Sequence, residues 1–348
     1  MIRSKTGKRL RGGVLKCTHS YESIISVENL LTAWTEFVRG KRKKADVQLF
    51  QYNLMSNILS LHHDLKHYMY RHGGYEHFIV TDPKRRDIHK ASVRDRLLHH
   101  ALYRVLYPYF DRKFIPDSYS CRNGKGAHRA MNQFRIFANS VSKNQIKTCW
   151  ILKCDIKKFF ASIDHEILLQ ILEKHIRDRE ILNLLKIVIR SFETTSGKGL
   201  PLGNLTSQLL VNVYMNELDQ FVKHELRAEH YIRYADDFVL LNQSRNNLVE
   251  TFRYIERFLR AKLALELHPH KVSINTLASG VDFLGWIHFP HHRVLRSVTK
   301  CRMFKGVQGK EIESPTVQSY LGLLKHGNSY ILQKLIYDTQ LKNSSRTN

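Results

Sequence analysis

Apolar residues recur at helical spacing over several long segments of the chain. In residues 22–72 they return every three or four positions, which is typical of the buried face of helices. These positions are Ile24, Ile25, Val27, Leu30, Leu31, Trp34 and Phe37. The same periodicity predicts further helices from about Ser92, from about Ala127, over 164–192, from about Ser207 to Leu226, over 246–266 and around 316–337. Asp164 is expected to cap the helix that follows it.

Short β-branched and aromatic runs lie between these helices and predict strands. A hairpin is expected over 75–90, with its turn at Asp82-Pro83, and a single strand within 149–163. Two more hairpins are expected at 230–243 and 281–289. Helices and a few antiparallel strands therefore predict an α+β fold, with helices on one face of the sheet.

Carboxylates interrupt two of the apolar strand segments, where an unpaired charge is costly to bury. Asp236 and Asp237 lie within residues 230–241, and Asp155 lies within residues 150–160. The Asp-Asp pair alone is also compatible with an acidic hairpin turn. The third carboxylate favours a metal site, because carboxylate oxygens suit Mg²⁺ or Mn²⁺. A pair of such ions would activate a hydroxyl and stabilise a leaving pyrophosphate.

The charge balance favours nucleic acid as the partner. The chain has 56 Lys and Arg against 31 Asp and Glu, a formal charge of +25, which implies a polyanion. No apolar run approaches the ~18 residues of a membrane span. The N-terminus lacks the apolar core of a signal peptide, and the five cysteines contain no Cys-x-x-Cys pair. We therefore expect a cytoplasmic protein without structural zinc.

Taken in order, these motifs resemble those of a reverse transcriptase over roughly residues 25–340. The metal-binding strand of that family matches Asp155-Ile-Lys-Lys-Phe-Phe160, and its Tyr-x-Asp-Asp box matches Tyr234-Ala-Asp-Asp237. Its downstream lysine matches Lys271, and its primer-grip hairpin matches Phe283, Leu284 and Gly285.

A narrower resemblance rests on Pro201-Leu-Gly-Asn-Leu-Thr-Ser-Gln208. Group II intron and retron enzymes, from the same superfamily, usually carry Pro-Gln-Gly followed by Ser-Pro at this place. The form in this chain is similar to the reverse transcriptases of diversity-generating retroelements, as are residues 119–128 and 320–326. Antiphage-defence reverse transcriptases share such features and stay an alternative.

The resemblance implies a right-hand polymerase with fingers, a palm made of an antiparallel sheet plus helices, and a short helical thumb. Residues 1–74 would form an N-terminal helical extension and the start of the fingers, and 75–148 the rest of the fingers. Residues 149–289 would form the palm, with finger elements around 165–205. Residues 290–348 would form a basic helical thumb.

The resemblance also assigns roles to single residues. Asp155 and Asp236 would bind two metal ions, Asp237 would support them, and the backbone carbonyl of Ile156 would be a further ligand. Lys271 would act as an acid or charge donor near the leaving pyrophosphate, although a solvated lysine is the alternative.

Five residues would form the nucleotide site: Arg86, Phe160, Leu202, Gln208 and Tyr234. Arg86 would contact the incoming nucleotide, unless it is an ordinary surface arginine. Phe160 would exclude a 2′-hydroxyl, unless it is a core residue, and Tyr234 would abut the primer terminus.

The implied function is RNA-directed DNA synthesis in a bacterial or phage-encoded system. Template RNA, a cDNA primer and product, dNTPs and two Mg²⁺ ions (with Mn²⁺ as a substitute) would be required, and a small basic accessory protein is expected. Leu202 stands where many reverse transcriptases carry Gln, so a lost polar contact of ~1 kcal/mol predicts error-prone copying and mutagenic retrohoming. A retron or antiphage enzyme and an inactive nucleic-acid-binding scaffold are the alternatives.

Overall fold

The main sheet consists of antiparallel strand pairs. The computed structural model of this chain describes residues 20–81 and 85–344. The chain divides into two compact units. The first consists of residues up to Lys113 together with Phe160–Tyr214, and the second of Phe114–Phe159 together with the residues from Met215 onward. The mixture of helices and antiparallel sheets confirms the predicted α+β class.

The first unit is mainly helical. Its helices are α1 (Tyr21–Ile25), α2 (Val27–Phe37), α3 (Ala45–Tyr52), α4 (Leu54–Lys66), α5 (Val93–Asp111), α8 (His165–His175) and α9 (Arg179–Arg190). Strands β1 (Tyr75–Val80) and β2 (Arg86–Ala91) form an antiparallel hairpin, as predicted. The predicted turn residues, Asp82 and Pro83, and the neighbouring Lys84 lie outside the described residues.

The second unit contains the four-stranded sheet in the order β4-β5-β3-β6 and a three-stranded sheet in the order β7-β8-β9. The strands are β3 (Trp150–Asp155), β4 (Tyr231–Tyr234), β5 (Asp237–Asn242), β6 (Ser273–Thr276), β7 (Val281–Phe283), β8 (Trp286–His288) and β9 (Arg293–Leu295). The helices are α6 (Ala127–Val141), α11 (Arg245–Leu263), α12 (Ser297–Val307), α13 (Pro315–Leu324) and α14 (Tyr330–Ser344).

Two helices, α7 (Phe159–Ser162) and α10 (Leu205–Gln220), include the boundaries between the units, and a π-helical turn, Phe221–Glu225, follows α10. The helix α7 corrects one prediction. A strand is predicted within residues 149–163, but β3 already ends at Asp155, and Phe159 and Phe160 begin a helical turn. Phe159 is buried and Phe160 is half-buried.

Side-chain caps decide where several helices begin. Asp164 accepts hydrogen bonds from the amides of Glu166 and Ile167, which confirms it as the cap of α8. The single helix predicted over 164–192 is wrong, because α8 ends before Ile176 and α9 starts anew. Asp178 caps α9 in the same way, through the amides of Glu180 and Ile181, so a second acidic cap interrupts the periodic pattern.

Apolar side chains from α6 and the sheet strands form the core of the second unit beneath the hairpins. Phe134 of α6 stacks on Phe283 of β7, with ring centroids 5.5 Å apart. The predicted hairpins at 230–243 and 281–289 are both present. The strands β6 and β9 were not predicted, because they are only four and three residues long and lie outside the predicted hairpins. No helix in the described part of the chain has the length and apolarity to cross a membrane.

Candidate active site

The sheet register brings two of the three predicted carboxylates opposite each other. Strands β3 and β5 pair so that Asp155 faces Asp237, each at the end of its strand. Strands β4 and β5 form a hairpin whose last pair is Tyr234 and Asp237, which leaves Ala235 and Asp236 as the turn. The turn therefore places Asp236 beside Asp237 at the edge of the sheet where β3 ends.

Burial makes this edge electrostatically unbalanced. Asp155 is only 7% exposed, and Oδ1 of Asp237 is buried without a hydrogen-bond partner among the described residues. Burial is the largest cause that raises the pKa of Asp237 to about 6. The charges of Asp155 and Asp236 also raise this pKa, and those of Lys153 and Lys271 oppose the rise. A cation at this place would compensate the carboxylates.

Lys271 supplies one positive charge to this edge. Its Nζ donates a hydrogen bond to Oδ1 of Asp155 at 2.8 Å. The backbone positions it, because the amide of His268 donates to the Asp155 carbonyl at 2.7 Å and the Lys271 amide donates to the His268 carbonyl at 3.0 Å. Ile156, whose carbonyl is also a predicted metal ligand, is buried. It forms an isolated antiparallel β-bridge with Leu267, which directly precedes His268.

A metal ion fits this donor set by its chemistry, since hard oxygen ligands and a partnerless buried carboxylate oxygen suit Mg²⁺. The side chains do not form a complete coordination shell by themselves. Within the described ranges, no group of three or more His, Cys, Asp or Glu side chains is arranged to hold a metal ion. One Asp155 oxygen instead accepts the Lys271 ammonium. The metal-binding roles of Asp155, Ile156, Asp236 and Asp237 stay predictions.

A buried ion pair behind the turn was missed at the sequence level. Arg233 and Asp219 are both fully buried, and the guanidinium bonds both carboxylate oxygens, with Nε to Oδ1 at 2.7 Å and Nη2 to Oδ2 at 2.6 Å. Arg233 also donates from Nη1 to the carbonyl of Ala235 at 3.2 Å. The available signal was an arginine inside an apolar strand, which needs a partner when buried.

The remaining predicted residues of the second unit lie in its core or at hairpin turns. Tyr234 is half-buried against that core, and burial raises the pKa of its hydroxyl. Leu284 and Gly285 form the two-residue turn between β7 and β8, with φ of +52° and +88°. Positive φ at both positions is the signature of a tight I′-type hairpin turn. Phe283 precedes the turn and is fully buried.

Four predicted nucleotide-site residues lie in the first unit, namely Arg86, Phe160, Leu202 and Gln208. Arg86 is exposed at the start of β2. The carbonyl of the half-buried Leu202 accepts a hydrogen bond from the amide of His89 in β2 at 3.2 Å, and the Asn204 side chain returns one to the His89 carbonyl at 2.9 Å. The segment that carries Leu202 is thus bonded to the strand that carries Arg86.

A cavity of roughly 350 Å³ opens beside this segment within the first unit. Gln208 lines it, together with the cations Lys41, Lys90 and Arg96 and the ring of Phe37. Asp46 neutralises part of this charge through ion pairs with Lys90 and Arg96. Phe160 belongs to the same unit, and its carbonyl accepts a hydrogen bond from the Leu200 amide at 2.8 Å. The nucleotide-binding roles of these residues stay predictions.

Comparison with known proteins identifies the family. Residues 81–288, more than half of the chain, match the family described as reverse transcriptase (RNA-dependent DNA polymerase). Protein YkfC of Escherichia coli strain K12 is 25% identical over 254 residues, which cover 62% of this chain and 65% of YkfC. The group II intron-encoded protein LtrA of Lactococcus lactis subsp. cremoris is 24% identical over 205 residues, which cover 56% of this chain and 33% of LtrA.

A solved structure of apo telomerase from Candida tropicalis covers 70% of this chain and 60% of its own, with a TM-score of 0.48 and 11% identity. The chain spans less than two thirds of the length of the curated relatives named above. The family match includes both Asp155 and the Tyr234–Asp237 turn, and this chain belongs to the reverse transcriptase (RNA-dependent DNA polymerase) family.

Proposed function

We propose that this chain is an RNA-directed DNA polymerase that extends a DNA primer along a template RNA. The observation that carries the proposal is the pairing of Asp155 with Asp237 at the end of the β4–β5 hairpin. There a buried carboxylate oxygen has no hydrogen-bond partner in the part of the chain that the structure describes. The family match and the formal charge of +25, which suits a polyanionic substrate, support it.

Asp155, Asp236 and Asp237, with the Ile156 carbonyl, would hold two Mg²⁺ ions, or Mn²⁺ in their place. When bound, these ions would activate the primer 3′-hydroxyl and stabilise the leaving pyrophosphate. Lys271 would add positive charge where pyrophosphate develops, from its present position on Asp155. Phe283, Leu284 and Gly285 would support the primer strand through the tight turn that they form.

Within the first unit, Arg86 would contact the triphosphate of an incoming dNTP from the exposed start of β2. Leu202 and Gln208 would lie near the nascent base pair. Phe160 would exclude a 2′-hydroxyl and Tyr234 would abut the primer end. In this assignment residues 75–148 are fingers, 149–289 palm with finger elements around 165–205, and 290–348 thumb, preceded by the helical residues of the 1–74 segment.

Asp236→Ala is the direct test of the polymerase. We expect it to abolish incorporation of dNTPs on an RNA template primed with DNA, because it removes a carboxylate from the proposed metal site. Affinity for the same primer–template should stay within about threefold, since phosphate contacts by Lys and Arg dominate that affinity. Primer extension and filter binding measure the two quantities.

Glu256→Gln is the matched control for Asp236→Ala. Glu256 lies on α11 and pairs with Arg260 on the surface, so its loss should leave incorporation unchanged. Continued synthesis by Asp236→Ala would exclude the proposed site. An inactive wild-type protein that still binds the primer–template would favour a nucleic-acid-binding scaffold.

We further propose that copying is error-prone, selectively at template adenines, and serves mutagenic retrohoming of a diversity-generating retroelement with a small basic accessory protein. The support is Leu202, an apolar residue whose backbone is fixed to β2 by the His89 amide. An apolar side chain there offers the base pair no hydrogen bond, which would weaken discrimination by ~1 kcal/mol, or about fivefold.

Leu202→Gln should therefore lower the error rate about fivefold, mainly opposite template adenines. Leu202→Met, which keeps an apolar side chain of similar volume, is the control and should retain the wild-type spectrum. Sequencing of cDNA made by the three proteins provides the measurement. Identical error spectra for Leu202→Gln and wild type would refute the fidelity proposal while leaving the polymerase proposal intact.

A further inference from the structure

The turn that carries Asp236 contains a strained residue. Ala235 adopts a φ of +55°, in the left-handed region that residues with a Cβ disfavour. Glycine usually occupies such a position in a two-residue hairpin turn. Since the sequence supplies alanine, contacts from outside the turn must hold this backbone in place.

The Arg233 side chain provides that contact. Its Nη1 donates to the carbonyl oxygen of Ala235 at 3.2 Å. The carbonyl belongs to the planar peptide that joins Ala235 to Asp236. Fixing the oxygen therefore fixes the orientation of this peptide, and with it the direction in which the backbone enters Asp236.

The guanidinium is in turn immobilised by groups from three other places in the second unit. Asp219, in the last turn of α10, accepts two hydrogen bonds from it. Ser118 accepts a third at Oγ, at 3.1 Å. Tyr231 donates its hydroxyl to Oδ1 of Asp219 at 2.8 Å, which holds the carboxylate from the strand side.

The backbone of Arg233 is fixed as well. Its amide donates to the Asp117 carbonyl at 3.0 Å, and its carbonyl accepts from the Tyr119 amide at 2.9 Å. Residues 117–119 thus extend the sheet beside β4, with Ser118 and Arg233 in a parallel bridge. The arginine joins this loop, α10 and the Ala235 carbonyl in one buried network.

A fully buried ion pair is an inefficient way to stabilise a fold, because desolvation offsets much of the attraction and apolar side chains can often replace it. Its directional hydrogen bonds, however, specify geometry. Groups that orient metal ligands in this way commonly change metal affinity when they are removed.

We propose that Arg233, held by Asp219, is a positioning residue that presets the Ala235–Asp236 peptide so that the Asp236 carboxylate is directed for divalent-metal binding. This inference rests on the proposed metal-dependent function. The inference goes beyond that function because Arg233 and Asp219 would touch neither the metal nor the substrate.

Two variants test the pair. Arg233→Lys keeps the positive charge but replaces the planar guanidinium by an ammonium. It is therefore expected to keep the ion pair with Asp219 and to lose the hydrogen bond to the Ala235 carbonyl. The double variant Arg233→Met with Asp219→Leu removes both charges together, so that no unpaired charge is left in the interior. Mn²⁺ binding to the protein without nucleic acid is measured by the electron paramagnetic resonance signal of free Mn²⁺, and melting temperature and the Mg²⁺ dependence of dNTP incorporation are measured in parallel.

Both variants are expected to bind Mn²⁺ about tenfold more weakly and to need about tenfold more Mg²⁺ for half-maximal incorporation. Ser118→Ala is the matched control, because it removes a hydrogen bond from the same guanidinium without touching the Ala235 carbonyl. Its Mn²⁺ affinity should stay within about twofold of wild type even if its melting temperature falls.

Folded Arg233 variants with wild-type Mn²⁺ affinity and Mg²⁺ dependence would overturn the inference, since the pair would then serve stability alone. If these variants lose their melting transition, Asp219→Glu decides, because it keeps the charges paired while its longer side chain displaces the guanidinium from the Ala235 carbonyl. A smaller weakening of Mn²⁺ binding supports the inference and an unchanged affinity overturns it. A wild-type protein that binds Mn²⁺ but incorporates no dNTP overturns the proposed function instead, and the Mn²⁺ comparison still decides the role of Arg233.

Discussion

At the scale of single residues, Lys271 has two opposing effects on the candidate site. Its ammonium lies 2.8 Å from Oδ1 of Asp155 and therefore neutralises this carboxylate. The opposite strand carries Asp237, whose pKa is raised to about 6. The same contact competes with any cation that uses the Asp155 oxygen. Lys271 must move from this oxygen before both oxygens of the Asp155 carboxylate are fully available to a metal.

Lys271→Met separates these two effects. Removing a competing, half-exposed cation worth about 0.2–1 kcal/mol should strengthen Mn²⁺ binding up to about fivefold. Incorporation of dNTPs should nevertheless fall, by about 10²-fold, if the charge acts on the leaving pyrophosphate as proposed. Mn²⁺ titration and single-turnover incorporation rates provide the two measurements.

Lys157→Met is the control for Lys271→Met, since Lys157 pairs with the exposed Glu266 on the neighbouring segment. It should leave both quantities near wild type. Weaker Mn²⁺ binding by Lys271→Met would show that the lysine holds Asp155 in its binding orientation rather than competing with the metal.

At the scale of elements, the C-terminal helices depend on a close approach to the β7–β9 sheet. Gly327, between α13 and α14, lies so near the ring of Trp286 that a Cβ there would come within 1.9 Å of it. Trp286 is itself 1% exposed in a cluster with Leu324 and Met303. Any side chain at position 327 must displace this ring or the backbone.

Gly327→Ala should therefore destabilise the second unit by about 1–3 kcal/mol, the usual cost of overpacking. Gly322→Ala is the matched control in the preceding helix, where a Cβ meets no atom within 4 Å. It should stabilise by about 0.5–1 kcal/mol, because alanine is the better helix former. Urea denaturation followed by tryptophan fluorescence measures both, and a neutral effect of Gly327→Ala would show that the α13–α14 turn can shift freely.

At the scale of the whole molecule, the family match runs through both units. The chain enters or leaves the first unit after Lys113, before Phe160 and after Tyr214, so neither unit is one continuous stretch. Arg86, Leu202 and Gln208 belong to the first unit, and the three aspartates belong to the second. The positive formal charge of +25 belongs to the chain as a whole and suits a polyanionic partner.

Local patterns in the sequence determined most of the elements and the main candidate residues. Apolar runs with β-branched and aromatic residues around Asp155 and across the Asp236–Asp237 pair predicted a strand and a hairpin, which the structure contains. Such signals extend over a few residues, so they can be recognised without knowledge of distant contacts. These patterns failed where a second capping residue starts a new helix. Asp178 is such a cap, and it divides one predicted helix into two.

Only the tertiary structure decided which distant groups meet. The Lys271–Asp155 contact joins residues 116 positions apart, and the Arg233–Ser118 contact joins residues 115 positions apart. No local periodicity encodes such a pairing, because it depends on sheet register and on the packing of other elements. The sequence alone thus predicted one carboxylate on a strand and two within a hairpin. The fold decided that Asp155 faces Asp237 and that a buried arginine donates a hydrogen bond to the Ala235 carbonyl in the turn.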